Sequence, residues 1–247
     1  MIEVHPFTGI GEVAPGVDLG AILAAALRGA GLTMRDGDIL VVTSKIVSKA
    51  EGCFARIDTV SPGEEAHRIA GITRKDPRLV ELVLAESSAV VRAAPHVLIT
   101  RHRLGLVMAN AGIDQSNLGP GRQDCVLLLP RDPDGTAAAL QQALEGAPAI
   151  VISDSFGRPW RQGIVNIAIG ASGLPALLDR RGEADRDGRV LEVTQIALAD
   201  LVAATAGLVC GEGAEGVPAA LVRGYRWTEP SAPAAALVRP IEQDLFR

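Results

Sequence analysis

Short apolar runs alternate with polar, glycine-bearing breaks along the whole chain, which predicts many brief elements rather than a few long ones. An extended segment begins at Glu3-Val4 and ends at the turn-prone Gly9-Ile10-Gly11. Ala, Leu and Ile then recur at helical spacing over residues 19–30, with Asp18 placed to cap that helix. Asp36-Gly37-Asp38 reads as a turn and Ile39-Leu40-Val41-Val42 as a buried strand, from which residues 44–52 lead away. Ser61-Pro62-Gly63-Glu64-Glu65 predicts the capped start of a helix, and Pro77 fits the first turn of the next, to about Ser87. Val90-Val91, residues 97–100 and residues 104–108 predict three strands.

A polar, glycine-rich stretch at 110–124 precedes an apolar strand at 126–129, and Asp134-Gly135-Thr136 opens a helix to about Glu145. Ala149-Ile150-Val151-Ile152 is a second buried strand that runs straight into Ser153-Asp154-Ser155. Residues 165–170 predict a strand approaching the same area, 180–189 an exposed charged hairpin or loop, and 192–208 a long Ala-rich helix. An apolar strand at 219–222 follows. Several strands succeed one another with no helix between them. This pattern predicts an α+β fold with mixed sheets and packed helices. The 247 residues suffice for two closely associated subdomains.

Composition narrows the partners. A net charge of −5 with scattered arginines carries no electrostatic footprint for nucleic acid. No apolar run reaches the roughly 18 residues of a membrane span, and Met1 to Pro6 has neither the basic start nor the apolar stretch of a signal peptide. Cys53, Cys125 and Cys210 lie far apart and are odd in number, which suits a reducing, cytoplasmic setting with buried thiols acting as small hydrophobes. His5, His67, His96 and His102 form no metal-ligand pattern, so zinc is not expected.

Three polar, glycine-rich segments follow apolar strands or helices, at 110–121, 153–163 and 211–218, and read as loops. Each carries a carboxylate. Magnesium and manganese take hard oxygen ligands and retain water, so Asp114, Asp154 and Glu212 or Glu215 could hold such an ion if the loops converge. Taken singly, each aspartate reads more readily as an Asx-turn residue. Arg158 and Arg161 could bind phosphate or carboxylate, or form a solvated face with Trp160 in the core. Thr43-Ser44-Lys45 to Gly52 offers hydroxyls and two lysines but lacks the glycines of a Walker loop, and reads alone as a solvated helix start. Ser153 and Ser155 do not form a nucleophile elbow, and no cysteine has a thiolate-activating neighbour, which disfavours covalent catalysis.

Asn110-Ala111-Gly112-Ile113-Asp114-Gln115-Ser116-Asn117 resembles a signature of the coenzyme F420:L-glutamate ligases, gamma-glutamyl ligases of deazaflavin cofactor synthesis. The run from Ser153-Asp154-Ser155-Phe156-Gly157 through Gly163 resembles their second signature, which often has Thr at the place of Ser155. Residues 44–52 and 211–218 are similar to two shorter elements of the same family, and the four fall in the family's order. One departure is Arg103-Leu104-Gly105, where His-Gly is expected.

The resemblance implies a single gamma-glutamyl ligase domain spanning 1–247, without the nitroreductase-like C-terminal domain of some members, and a homodimer. It implies GTP as energy source, Mg²⁺ or Mn²⁺ as metal, and L-glutamate and the coenzyme F420 precursor as the joined partners. Asp114, Asp154 and Arg158 are then the candidate catalytic residues. Asp114 and Asp154 would ligate one metal, with Ser155 and Glu212 near a second. Gly9, Ile10, Gly11, Ser44, Lys45, Lys49 and Asn117 would contact GTP, together with Gly211, Glu212, Gly213, Ala214, Glu215, Gly216, Val217 and Pro218. The rival expectations are a metal-dependent phosphohydrolase, using the same carboxylates, and a non-catalytic deazaflavin-binding protein.

Overall fold

The computed structural model describes residues 1–244. In chain order the first half comprises β1 (Glu3–Pro6), α1 (Leu19–Gly29), β2 (Ile39–Thr43), α2 (Ser44–Ala50), β3 (Phe54–Arg56), α3 (Glu64–Thr73), α4 (Pro77–Ala85), β4 (Ser87–Ala94), β5 (Val97–His102) and β6 (Val107–Ala109). The second half comprises β7 (Cys125–Leu127), α5 (Pro133–Ala143), β8 (Ala149–Arg158), β9 (Arg161–Ser172), β10 (Leu177–Asp179), β11 (Gln195–Ala197), α6 (Leu198–Cys210) and β12 (Ala219–Arg223). The fold is α+β, with mixed sheets and packed helices, as the sequence pattern predicts.

A five-stranded sheet, ordered β1-β12-β2-β8-β9, organises the molecule. Only β2 and β8 pair in parallel. Where they pair, β2 and the first part of β8 (149–152) are continuous apolar runs because both faces are covered. Leu40, Val42, Ile150 and Ile152 face a core shared with Leu19 and Leu23 of α1 and Ala137 and Leu140 of α5. Ile39, Val41 and Val151 face the opposite way, against Ala199, Val202, Ala203 and Ala206 of α6. The small side chains of α6 let that helix lie close on the sheet. A third, smaller core joins Ala66 and Ile69 of α3, Val80 and Val83 of α4 and Leu98 of β5, beside the separate sheet β4-β5-β6.

Several boundaries differ from the sequence expectation, each for a local reason. Asp132, not Asp134, caps α5, and its carboxylate accepts from the Gly135 amide at 3.0 Å. Asp134 instead accepts from the amides of Ala171, Ala234 and Ala235, tying the C-terminal segment to β9. The expected start of α3 within 61–65 is met, with Gly63 at the cap and its amide bonded to Glu81. Residues 104–105 form a turn, with Gly105 at φ 86, so β6 starts only at Val107. The helix expected from 192 begins at Leu198, because Gln195–Ala197 pairs with Leu177–Asp179. Most consequential, the loop expected at 153–163 is a β-hairpin: β8 continues through the motif and returns as β9.

Candidate active site

Parallel pairing sets Thr43 of β2 opposite Ser153 of β8, so the next residues of the two strands, Ser44 and Asp154, stand side by side where the β2–β8 ladder ends. One enters α2 and the other continues β8. The Ser44 hydroxyl thereby donates to Asp154 Oδ1 at 2.7 Å, across 110 positions of sequence. Around this junction lies a cavity of about 750 Å³, a size that suits a nucleotide-scale ligand. Its walls come from Ile10 to Val13, the start of α2, the segment at 112–117, β8 to Gly157, and the turn after α6.

An unusual backbone delivers Asp114. Asn110, Ala111 and Gly112 are successively left-handed, at φ 51, 52 and 69. Such a run is strained for non-glycine residues and needs its surroundings to hold it. Ala111 is fully buried, and a Cβ on Gly112 would lie 2.6 Å from Met108 Cε. The chain then re-extends, and Asp114 exchanges backbone hydrogen bonds with Leu127 at 2.9 and 2.8 Å. Its carboxylate pairs with Lys45 Nζ at 2.7 Å and accepts from the amide and hydroxyl of Ser116 at 2.7 and 2.8 Å. Burial opposes ionisation of Asp114, but Lys45 and Ser116 outweigh it and hold the carboxyl below its usual range.

Asp154 is in the opposite state. Desolvation is the main cause that pushes its pKa up to about 6, aided by the negative charges of Asp114 and Glu212. The Ser44 hydroxyl and Ser155 amide only partly offset this. Beyond it, Ser155 Oγ donates to Glu212 Oε1 at 2.5 Å, and Asn166 Nδ2 reaches both atoms, at 3.3 and 3.2 Å. Glu212 stands in the turn that ends α6, where Gly211 takes φ 67 and Glu215 folds back onto the Gly213 amide at 2.7 Å. On the other wall, Lys49 is buried and its ammonium contacts Glu12 at 2.5 Å.

Most of the residues expected at the site do line the cavity: Ile10, Gly11, Ser44, Lys45, Lys49, Asp114, Asn117, Asp154, Ser155 and the whole turn from Gly211 to Pro218. Gly9 and Arg158 are not brought into its lining. Arg158 instead donates from Nη2 to the Gln162 carbonyl at 3.0 Å, bracing the far end of the hairpin. Trp160 is 83% exposed at the hairpin turn rather than a core residue. The segment after β2 is no solvated helix start, since Ser44, Ile46, Val47, Ser48 and Lys49 of α2 are all buried. Glu51 of the same motif has a structural task. It accepts from the Thr136 hydroxyl at 2.8 Å and the Arg131 amide at 2.9 Å, fixing α2 to the start of α5. Arg103 likewise holds the carbonyls of Pro130 and Arg131 and pairs with Glu86.

Glu12 and Asn166 escaped the sequence reading. Asn166 had a usable signal, as the polar residue inside the otherwise apolar run Ile164-Val165-Asn166-Ile167-Ala168. Glu12 had none.

Among the described residues, no three or more His, Cys, Asp or Glu side chains come close enough together to hold a metal ion by themselves. The cavity's donors nonetheless fit a hard divalent cation that completes its shell with water and phosphate oxygens. They are carboxylates and a hydroxyl, and the Cys210 thiol beside them is pushed up to about 11 by burial, which keeps it protonated.

The F420-0:Gamma-glutamyl ligase family model matches residues 9–224. A coenzyme F420:L-glutamate ligase of Methanothermobacter thermautotrophicus is 44% identical over 252 residues, covering 100% of this chain and 97% of its own. The proteins of the same name from Methanopyrus kandleri and Methanocaldococcus jannaschii are 40% and 39% identical, covering 100% and 87% of this chain and 98% and 86% of theirs.

Proposed function

The chain belongs to the F420-0:Gamma-glutamyl ligase family, and on that footing we propose that it joins L-glutamate to the terminal carboxylate of a coenzyme F420 precursor at the expense of GTP. One observation carries the reading. Asp114, Asp154 and Glu212 share a single cavity with Lys45 and Lys49, so acidic and basic groups stand ready for a metal and for phosphates on the same walls.

A carboxylate is a poor acyl electrophile because its oxygen is a poor leaving group. In the first step its oxygen attacks the terminal phosphorus of GTP, the bond to GDP breaks, and an acyl phosphate forms. In the second, the deprotonated glutamate amine attacks the acyl carbon, inorganic phosphate departs and the nitrogen gives up a proton, leaving an amide. The first step asks the protein mainly for positioning and charge neutralisation. Lys45 and Lys49 would turn from their carboxylate partners toward phosphate oxygens, while Asn117 and the turn from Gly211 to Pro218 would hold the nucleotide. Mg²⁺ or Mn²⁺, held by Asp114 and Asp154 with Ser155 and Glu212 alongside, would supply Lewis-acid neutralisation of the phosphates and the reacting carboxylate. The acyl phosphate is labile to water, so the site would have to keep water from it during turnover. Family membership also leads us to propose a homodimer, which analytical ultracentrifugation measures directly.

The test is incubation with GTP, glutamate, Mg²⁺ and the precursor. Precursor-dependent GDP release with a product heavier by one glutamyl unit is the expected result. GDP release without that product identifies a phosphohydrolase, and tight precursor binding with no turnover identifies a binding protein.

A further inference from the structure

We infer that Asn166 is a positioning residue, whose side-chain amide holds the Ser155 hydroxyl and the Glu212 carboxylate in one arrangement toward a divalent cation. The inference rests on the proposed metal reading of those two residues. Glu212 lies in a glycine-rich turn beyond the end of α6, outside any helix or strand, whereas Ser155 and Asn166 face each other on β8 and β9. A carboxylate in a turn needs an anchor on a regular element to keep one geometry. Ser155 supplies one hydrogen bond, and Asn166 Nδ2 supplies another to the same Oε1 atom while also touching Ser155 Oγ. Because a carboxylate only accepts, the NH₂ end of the amide must face Glu212. The anchor is neutral, so it orients Glu212 without cancelling the charge that a cation needs. Lys45, paired to Asp114, orients by cancelling.

A second observation points to the same residue. Gly207 lies inside α6, where glycine is an unfavourable helix residue. A Cβ there would stand 2.0 Å from Asn166 Oδ1 and 2.9 Å from its Cγ. The helix thus carries a glycine where the asparagine side chain needs the space.

The experiment titrates Mn²⁺ alone into the full chain, without nucleotide, and follows free Mn²⁺ by electron paramagnetic resonance beside thermal melting. Asn166→Ala is expected to raise the Mn²⁺ dissociation constant about tenfold or more, as loss of a partner to a metal ligand does elsewhere. Gly207→Ala is expected to weaken Mn²⁺ similarly, and to lower the melting temperature by displacing the amide. The double variant Gly207→Ala/Asn166→Ala relieves the clash, so its melting temperature recovers while Mn²⁺ stays weak. Recovery of both would reduce Asn166 to packing and overturn the inference. Glu212→Gln separates the two levels. If it weakens Mn²⁺ and Asn166→Ala does not, the positioning role is wrong. If Glu212→Gln leaves Mn²⁺ binding unchanged, the metal reading beneath it is wrong.

Discussion

Replacing Asp154 by Asn is expected to stabilise the metal-free protein while destroying its activity. The carboxyl sits at about 6 in the folded protein, where burial and two neighbouring carboxylates penalise its charge, against about 3.9 in an unfolded chain. The folded state therefore holds this proton more tightly. The stability it contributes is complete below the unfolded pKa and is lost as pH rises toward 6 and just beyond. At pH 8 the ionised group destabilises the fold by about 3 kcal/mol, and at pH 5 by about half that. Asn keeps an oxygen for the Ser44 hydroxyl, but one of its two positions no longer accepts, which removes about 1 kcal/mol. The net gain at pH 8 is roughly 2 kcal/mol, a rise in melting temperature of about 4–8 °C for a chain of this length. At pH 5 it shrinks to well under 1 kcal/mol. Scanning calorimetry of EDTA-treated protein at both pH values reads this directly. A variant no more stable than the parent at pH 8, or equally advantaged at pH 5, refutes the electrostatic account of Asp154. Added Mn²⁺ should raise the parent's melting temperature and leave the variant's unmoved.

Other expectations follow from single contacts. Asp114→Asn removes the partner of Lys45 and a proposed metal donor, so GTP-dependent turnover in a coupled GDP assay should fall at least a hundredfold with the fold intact by circular dichroism. Asp38→Ala strips the carboxylate from Arg223, which it grips at 2.8 and 2.7 Å while itself 1% exposed. Leaving that guanidinium unpaired should destabilise by about 3–5 kcal/mol in urea unfolding. Asp134→Ala leaves the amides of Ala171 and Ala234 without their acceptor and should lower stability by roughly 2–4 kcal/mol, with the C-terminal segment first to gain protease sensitivity.

Much of the architecture is written in local pattern. The apolar runs at 39–42, 149–152 and 219–222 name three central strands, and Asp18 names the start of α1, because strand periodicity and end-capping are satisfied within a few residues. Departures cluster where pairing with another strand overrode the local preference. Gln195–Ala197 reads as helix but is claimed by β10, and the polar glycine-bearing run after Ser153 reads as loop but is claimed by β9. For Gln195–Ala197 the competing backbone hydrogen bonds come from β10, on the far side of the charged 180–189 segment, while for the run after Ser153 they come from the returning arm of its own hairpin, closed between Arg158 and Arg161.

The site divides in the same way. Residue type alone left Asp114 and Asp154 as turn aspartates; resemblance to the family's signatures grouped Asp114, Asp154, Ser155, Lys45, Lys49 and the 211–218 turn, and the fold lines one cavity with them. Only the folded chain decided how they are joined: Ser44 to Asp154 through the parallel pairing of β2 and β8, Lys45 to Asp114, Lys49 to Glu12, and Glu212 to Ser155 and Asn166. It also left Arg158 outside the cavity, bracing a hairpin. The reason is physical. Which residue carries a charge is a property of sequence, but which groups meet in the cavity, and how far water is kept from them, is set by contacts between segments as far apart as the 110 residues from Ser44 to Asp154.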